Sequence, residues 1–354
     1  MTKTAMLINF GTHFPLQRDS ISRLMFGLAK DTGRYTKCVA FIAADNTPFV
    51  FRGVQAYPFT ENRLVNRVAN KWFRMGAFTW QDLVKRINAT RPDILHFQNK
   101  QWLIAPILKR LDYRPKIVVH YHLFGETIIP KGTDLCLVVS RSMVDYLEKT
   151  NLDDVPVKVL YNFVFSTAPS EAEEQRFDQA RPISILFGGG DGRHKGIHEL
   201  IEAVQGIDDD ELAVSIAGRG TDRLNISDPR LRPLGLLSGN QYEQLLHDAD
   251  IVVMPSRIEP FGLVAIEALA AGKLLVHTAV DGLGEFANSE CSLVVRPRDA
   301  ESLRDGLVRA IRLIRTEPET VRRLTDNARA VAAQYSVDRT VTELEDMYDE
   351  LFSA

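Results

Sequence analysis

Short uninterrupted apolar runs alternate along this chain with stretches whose apolar residues recur every three or four positions. The runs at 6–10, 37–43, 92–97, 116–122, 135–140 and 157–161 read as strands. Helical spacing covers about 19–30, 103–111 and 143–149, and Ser140 stands where it can cap the last of these. Residues 166–181 are polar and acidic and read as a linker. The alternation then restarts, with strands at 183–188, 212–217, 251–254 and 274–277 and helices at 197–204, 241–247 and 263–271. Helices at 300–315, 319–334 and 337–351 follow. This β-α-β pattern predicts an α/β protein with parallel sheets covered on both faces. Two doubly wound, Rossmann-like domains, 1–164 and 165–335, imply a central cleft, with ligands at the carboxyl ends of the strands.

Composition narrows the class. With 45% hydrophobic and 25% charged residues, the chain is neither disordered, collagen-like nor a disulfide scaffold. A net charge of −3 does not suit a nucleic-acid binder. Cys38, Cys136 and Cys291 are scattered, without zinc spacing, which points to a reduced, cytoplasmic setting. No apolar run approaches the ~18–20 residues of a membrane span. The opening apolar stretch is too short for a signal peptide.

The charge is unevenly placed. Residues 1–164 carry a net +10 and residues 165–354 a net −13. Within 51–120 there are 13 basic and 4 acidic residues, so the first half is expected to meet something anionic. Arg63, Arg67, Lys71 and Arg74 recur at helical spacing beside Leu64, Val65, Val68, Trp72 and Phe73. A basic amphipathic helix of this kind fits an anionic membrane surface. It also fits a surface helix packing its apolar side on its own domain.

Two stretches carry candidate chemistry. In 255–272 a strand ends at Met254, a proline turn holds Glu259, and a helix from about Gly262 holds Glu267. Two such carboxylates can accept hydrogen bonds from sugar or ribose hydroxyls, and the helix start can hold a phosphate. Alone, they also read as a solvated loop acid and a surface helix acid. In 187–196 a strand runs into Gly188-Gly189-Gly190, with Arg193 and Lys195 just before a helix. A diphosphate needs that close backbone approach and positive charge; a plain surface turn has similar composition. His120 and His122 fall on one face of a strand. They read as packed histidines or as an H-x-H metal pair, but no further ligands follow at suitable spacing.

The stretch from Asp250 through Pro255, Ser256, Glu259, Glu267 and Gly272 resembles the E-x7-E signature of retaining family 4 glycosyltransferases. Asp281-Gly-Leu-Gly-Glu285 and Lys195-Gly196 are similar to further elements of that family. The resemblance is strong over 183–285 and weaker over the first half. It implies a GT-B fold, with residues 336–354 crossing back to the N-terminal domain. It implies that Glu259 contacts a donor sugar and Glu267 a nucleotide ribose. Backbone amides at Phe261, Gly262 and Leu263 would face the sugar and its phosphate, and Glu285 would support them. His122 would lie near the sugar. His96 matches an Asp-x-x-His at a strand end, and Gly11 matches part of a glycine-rich loop near the donor phosphate. The family's arginine slot falls on Gly190, with Arg193 as the nearby replacement. The implied partners are a nucleoside diphosphate sugar and a glycan or lipid-linked acceptor, without nucleic acid, at the inner face of the plasma membrane. With Lys195, Arg193 and helix N-termini taking the diphosphate charge, no metal or other cofactor is called for. A nucleotide-sugar epimerase and a non-catalytic binding protein of the same fold are the alternatives.

Overall fold

Strands buried on both faces need near-continuous apolar runs rather than alternation, and this chain supplies two sets of them. The computed structural model describes residues 2–10, 20–43, 47–59, 81–99, 101, 104–125, 128–148, 154–165, 182–209 and 211–353. They form two units: Met1–Tyr161 together with Val337–Ala354, and Asn162–Ser336. The expected linker at 166–181 lies outside the described residues.

The first unit carries an eight-stranded sheet. Its strands are β1 (Lys3–Asn9), β2 (Tyr35–Ile42), β3 (Phe49–Phe51), β4 (Val54–Phe59), β5 (Ile94–Gln98), β6 (Lys116–Tyr121), β7 (Leu135–Val138) and β8 (Val157–Val159), in the order β3-β4-β2-β1-β5-β6-β7-β8. All neighbours are parallel except β3 and β4. That pair is a hairpin the apolar pattern does not announce. Its turn is Arg52-Gly53, both at positive φ, as a two-residue hairpin requires, and Pro58 interrupts β4. Helices α1 (Ser20–Leu28), α2 (Gln81–Thr90), α3 (Ile104–Leu108) and α4 (Arg141–Glu148) connect the strands.

The second unit is a six-stranded, all-parallel sheet. It contains β9 (Ile183–Phe187), β10 (Leu212–Ala217), β11 (Leu231–Gly235), β12 (Ile251–Met254), β13 (Leu274–Thr278) and β14 (Leu293–Val295), ordered β11-β10-β9-β12-β13-β14. This is the dinucleotide-fold order 3-2-1-4-5-6. Helices α5 (Ile197–Gln205), α6 (Gly239–Asp248), α7 (Leu263–Ala270), α8 (Ala300–Thr316) and α9 (Pro318–Ala332) flank it. The core joins Ile185, Phe187, Val214, Ile216, Val253 and Val276 of the sheet to Leu200, Leu303 and Leu307 of the helices.

The last helix, α10 (Val337–Ser353), belongs to the first unit. It meets that unit with a row of acids. Glu345 pairs with the buried Lys37 and accepts from Thr32 Oγ1 at 2.6 Å. Arg34 reaches Asp346 and Asp349, Tyr35 OH donates to Asp349 at 2.7 Å, and Lys158 pairs with Glu350. Residues 337–354 hold six acids and one base, so the first unit carries +5, half of what its N-terminal stretch alone suggests. Part of the basic excess is taken up by the protein's own last helix.

Candidate functional site

In the second sheet the strand order reverses between β9 and β12, whose carboxyl ends open into the loops 188–196 and 255–262. Open parallel sheets bind ligands at such a reversal. Each loop ends on a left-handed glycine that begins a helix, Gly196 (φ 77) before α5 and Gly262 (φ 104) before α7. Neither helix has a side-chain cap, whereas Ser238 caps α6 and Asp299 caps α8. First-turn N–H groups lack intrahelical acceptors, so α5 and α7 present donors suited to an anion.

The two loops interlock. A Cβ on Gly196 would lie 2.0 Å from the Pro255 carbonyl oxygen, an approach only glycine permits. The Arg257 N–H donates to the His194 carbonyl at 2.7 Å. Between these contacts Lys195 Nζ donates to Glu259 Oε2 at 2.7 Å. Ser256 Oγ donates to the same oxygen at 3.1 Å, and Asp281 accepts from the Glu259 N–H at 3.0 Å. Glu259 is 5% exposed. It is a buried, paired carboxylate rather than a solvated loop acid. His194, next to Lys195 in sequence, has its imidazole pushed below the ordinary range by burial and then by the Lys195 charge.

Glu267 is half-buried in the second turn of α7, and Leu263 opens that helix. The Phe261 side chain is buried against Phe286 and Tyr335, with centroids 5.0 and 5.8 Å away, so only its backbone is available. Glu285 ends a short turn, Asp281–Glu285, and is half-buried. Arg193 shares the turn Arg193–Lys195 and is exposed. Gly190 has φ 74, and a Cβ there would sit 3.1 Å from the Arg219 carbonyl oxygen. An arginine in that slot would be strained. Sequence reasoning assigned Arg257 no part, and it placed Ser256 and Asp281 in motifs without showing that both bind Glu259. The signal for Asp281 is its place at the head of the Asp281-Gly-Leu-Gly-Glu285 turn, where its φ is 43.

In the first unit, three imidazoles lie in a row. The ring centroids are 5.5 Å apart for His96 and His120 and 4.2 Å apart for His120 and His122. His122, just past β6, meets Gln98 Oε1 through Nε2 at 2.6 Å, and its N–H donates to Asn99 Oδ1 at 2.9 Å. His96 is the third of five residues in β5, not at the strand's end as expected. Its Nδ1 lies 2.6 Å from the Tyr348 hydroxyl of α10, and the residue is fully buried. Among the described residues no group of three His, Cys, Asp or Glu side chains is arranged to hold a metal ion, and no helix is long and apolar enough to cross a membrane. Gly11, Arg63, Arg67, Lys71 and Arg74 lie outside the described residues.

Burial pushes His96 down to about 3 and His277, in the second unit, to about 4. Both stay neutral in the fold but gain protons when unfolded below about 6.5, so stability declines as pH falls from there. At pH 5 each contributes a loss on the order of 2 kcal/mol. Urea midpoints should therefore drop between pH 7 and pH 5. An unchanged midpoint would show that both rings are already charged in the fold.

Known proteins align with these features. A family model described as glycosyl transferases group 1 matches residues 170–331, and one described as Glycosyltransferase Family 4 matches residues 39–165. The chain belongs to glycosyltransferase family 4. This family 4 chain is 35% identical over 159 residues to a glycogen synthase of Mycobacterium tuberculosis, a match covering 42% of this chain and 37% of that one. It thus spans well under half the length of that relative. A sucrose-phosphate synthase structure from Thermosynechococcus elongatus superposes with a TM-score of 0.76 at 18% identity over 99% of both chains. Anabaena Alr3699/HepE, solved with UDP and glucose, gives 0.73 at 16% identity over 98% of this chain and 100% of that one. At these identities the likeness speaks for the fold, which is GT-B.

Proposed function

We propose that this family 4 protein transfers a sugar from a nucleoside diphosphate sugar to an acceptor hydroxyl, with retained configuration, in making a cell-surface glycan or glycolipid. The Lys195–Glu259 pair, set beside two uncapped helix N-termini, is the observation that carries the reading. A departing diphosphate needs charge and N–H donors where its charge develops. Lys195, Arg193 and the first turns of α5 and α7 supply both, so the reading requires no metal. As the donor enters, Lys195 turns from Glu259 to the diphosphate, and Glu259 accepts from sugar hydroxyls instead. Glu267 takes the ribose, and Glu285 supports the turn beside Glu259. His122, fixed by Gln98, is assigned to the transferred sugar. His96 is assigned to holding the histidine row against α10. The leaving phosphate oxygen accepts the acceptor's proton, while the acceptor oxygen bonds the anomeric carbon on the face from which the phosphate departs.

The bound UDP and glucose of the Anabaena protein make a UDP-linked hexose the first donor to try. The excess of basic residues at 51–120 favours an anionic lipid-linked acceptor at the inner membrane face. Calorimetry with UDP, GDP and ADP, with and without magnesium, tests the donor site. One nucleotide should bind independently of metal, and Glu267→Ala should weaken it at least about tenfold, the order of a lost charged hydrogen bond. No binding by any of the three would sink the reading. The glycine at the expected arginine slot favours a second reading, binding without transfer. Tight nucleotide-sugar binding with no turnover on any acceptor would decide for it, and an epimerised donor without acceptor would point to an epimerase.

A further inference from the structure

Behind the Lys195–Glu259 pair lies a second ion pair of reversed polarity. Arg257 donates through Nε to Glu199 Oε1 at 2.7 Å, and its Nη2 lies 2.6 Å from the same oxygen. Glu199 sits in the first turn of α5 and is 6% exposed. Both contacts converge on one oxygen. The other, Oε2, is buried without a hydrogen-bond partner. A pair shaped for stability would engage both oxygens in a bidentate fork, and a buried unsatisfied oxygen calls for another explanation.

The loop after β9 thus contributes the cation Lys195 and, four residues on, the first turn of α5 contributes the anion Glu199. The loop after β12 contributes the cation Arg257 and, two residues on, the anion Glu259. The two pairs close a ring through the backbone of both loops. On the reading above, the front pair opens whenever a diphosphate claims Lys195, and the loop after β12 loses that tether in the same step. The rear pair involves neither Lys195 nor Glu259, so it survives the exchange. We propose that Arg257 is a positioning residue that acts through Glu199. Their pair holds the loop carrying Glu259 in register while Lys195 is handed to the donor phosphate. This inference rests on the proposed donor site for its catalytic consequence but not for its structural one.

Two variants, Glu199→Gln and Arg257→Gln, test it, with the reversed pair Glu199→Arg/Arg257→Glu as rescue. Hydrogen exchange reads the structural part without any ligand. The Arg257 and Glu259 amides, held by His194 and Asp281, should exchange at least about tenfold faster in both single variants while β12 stays protected. Unchanged protection overturns the proposal whatever the activity. The catalytic part is read as release of nucleoside diphosphate from UDP-glucose, GDP-mannose and ADP-glucose. Turnover should fall about 100-fold, the order produced by a displacement of roughly 1 Å. Affinity for the matching nucleoside diphosphate should stay within about threefold, because Lys195 and α5 remain in place. The reversed pair should recover part of the turnover. Equal losses of affinity and turnover with no recovery overturn the proposal. Faster exchange in the variants with no turnover in the wild type would leave the loop assignment standing and remove the proposed function.

Discussion

Alanine in place of Glu345 should cost the first unit about 3–5 kcal/mol, the range for removing one partner of a buried ion pair. Glu345 is 1% exposed and Lys37 5% exposed. Burial already pushes the Lys37 amine down, and Glu345 is the main group opposing that. Without the carboxylate, Lys37 keeps only the Lys30 carbonyl, 2.8 Å away, and Thr32 Oγ1 loses its acceptor. A paired apolar replacement, Lys37→Met with Glu345→Leu, should keep most of the stability, because two desolvated charges leave together. Trp72, Trp80 and Trp102 all fall in this unit's sequence, so denaturant unfolding followed by tryptophan fluorescence reports it separately. A loss below about 1 kcal/mol for the alanine variant would mean the pair is hydrated, since exposed pairs are worth no more.

The second large effect is expected at Lys195. Its replacement by alanine should lower turnover by about 100- to 1,000-fold, the scale seen when one preorganised electrostatic donor is removed. Two losses combine. The diphosphate loses its cation, and Glu259 keeps only the Ser256 hydroxyl on Oε2. Lys195→Arg should recover part of the activity, because a planar guanidinium keeps the charge but not the compact ammonium geometry. Calorimetry on the alanine variant should show nucleoside diphosphate binding weakened by at least about tenfold. Binding within about threefold of wild type would move the diphosphate away from the loop after β9.

Sequence patterning exposes the sheet centres because a strand buried on both faces must be apolar throughout. It also exposes both loops at the strand-order reversal, where glycine and charge follow directly on such a strand. It fails at α2, at the three-residue β14, and at β3, β4 and β11. In the last three, Pro58 and Pro233 interrupt the runs, and Arg52-Gly53 lacks the usual hairpin signal. The burial of Glu259 was illegible for another reason. A loop acid becomes a core acid only when Lys195, Ser256 and Asp281 converge on it, and three separate loops supply them. His96 is similar. Its partner Tyr348 stands 252 positions away, so a histidine one residue short of the expected strand end could not be recognised as a helix contact.

The return of α10 to the first unit also orders how the chain matures. Residues 162–336 emerge from the ribosome as one continuous stretch and contain a whole sheet with its helices. Lys37, Tyr35 and His96, made much earlier, wait for Glu345, Asp349 and Tyr348 to cover them. A chain cut before residue 337 carries all of the second unit and an incomplete first one, open to chaperones and proteases. The half that is translated first is the half that is completed last.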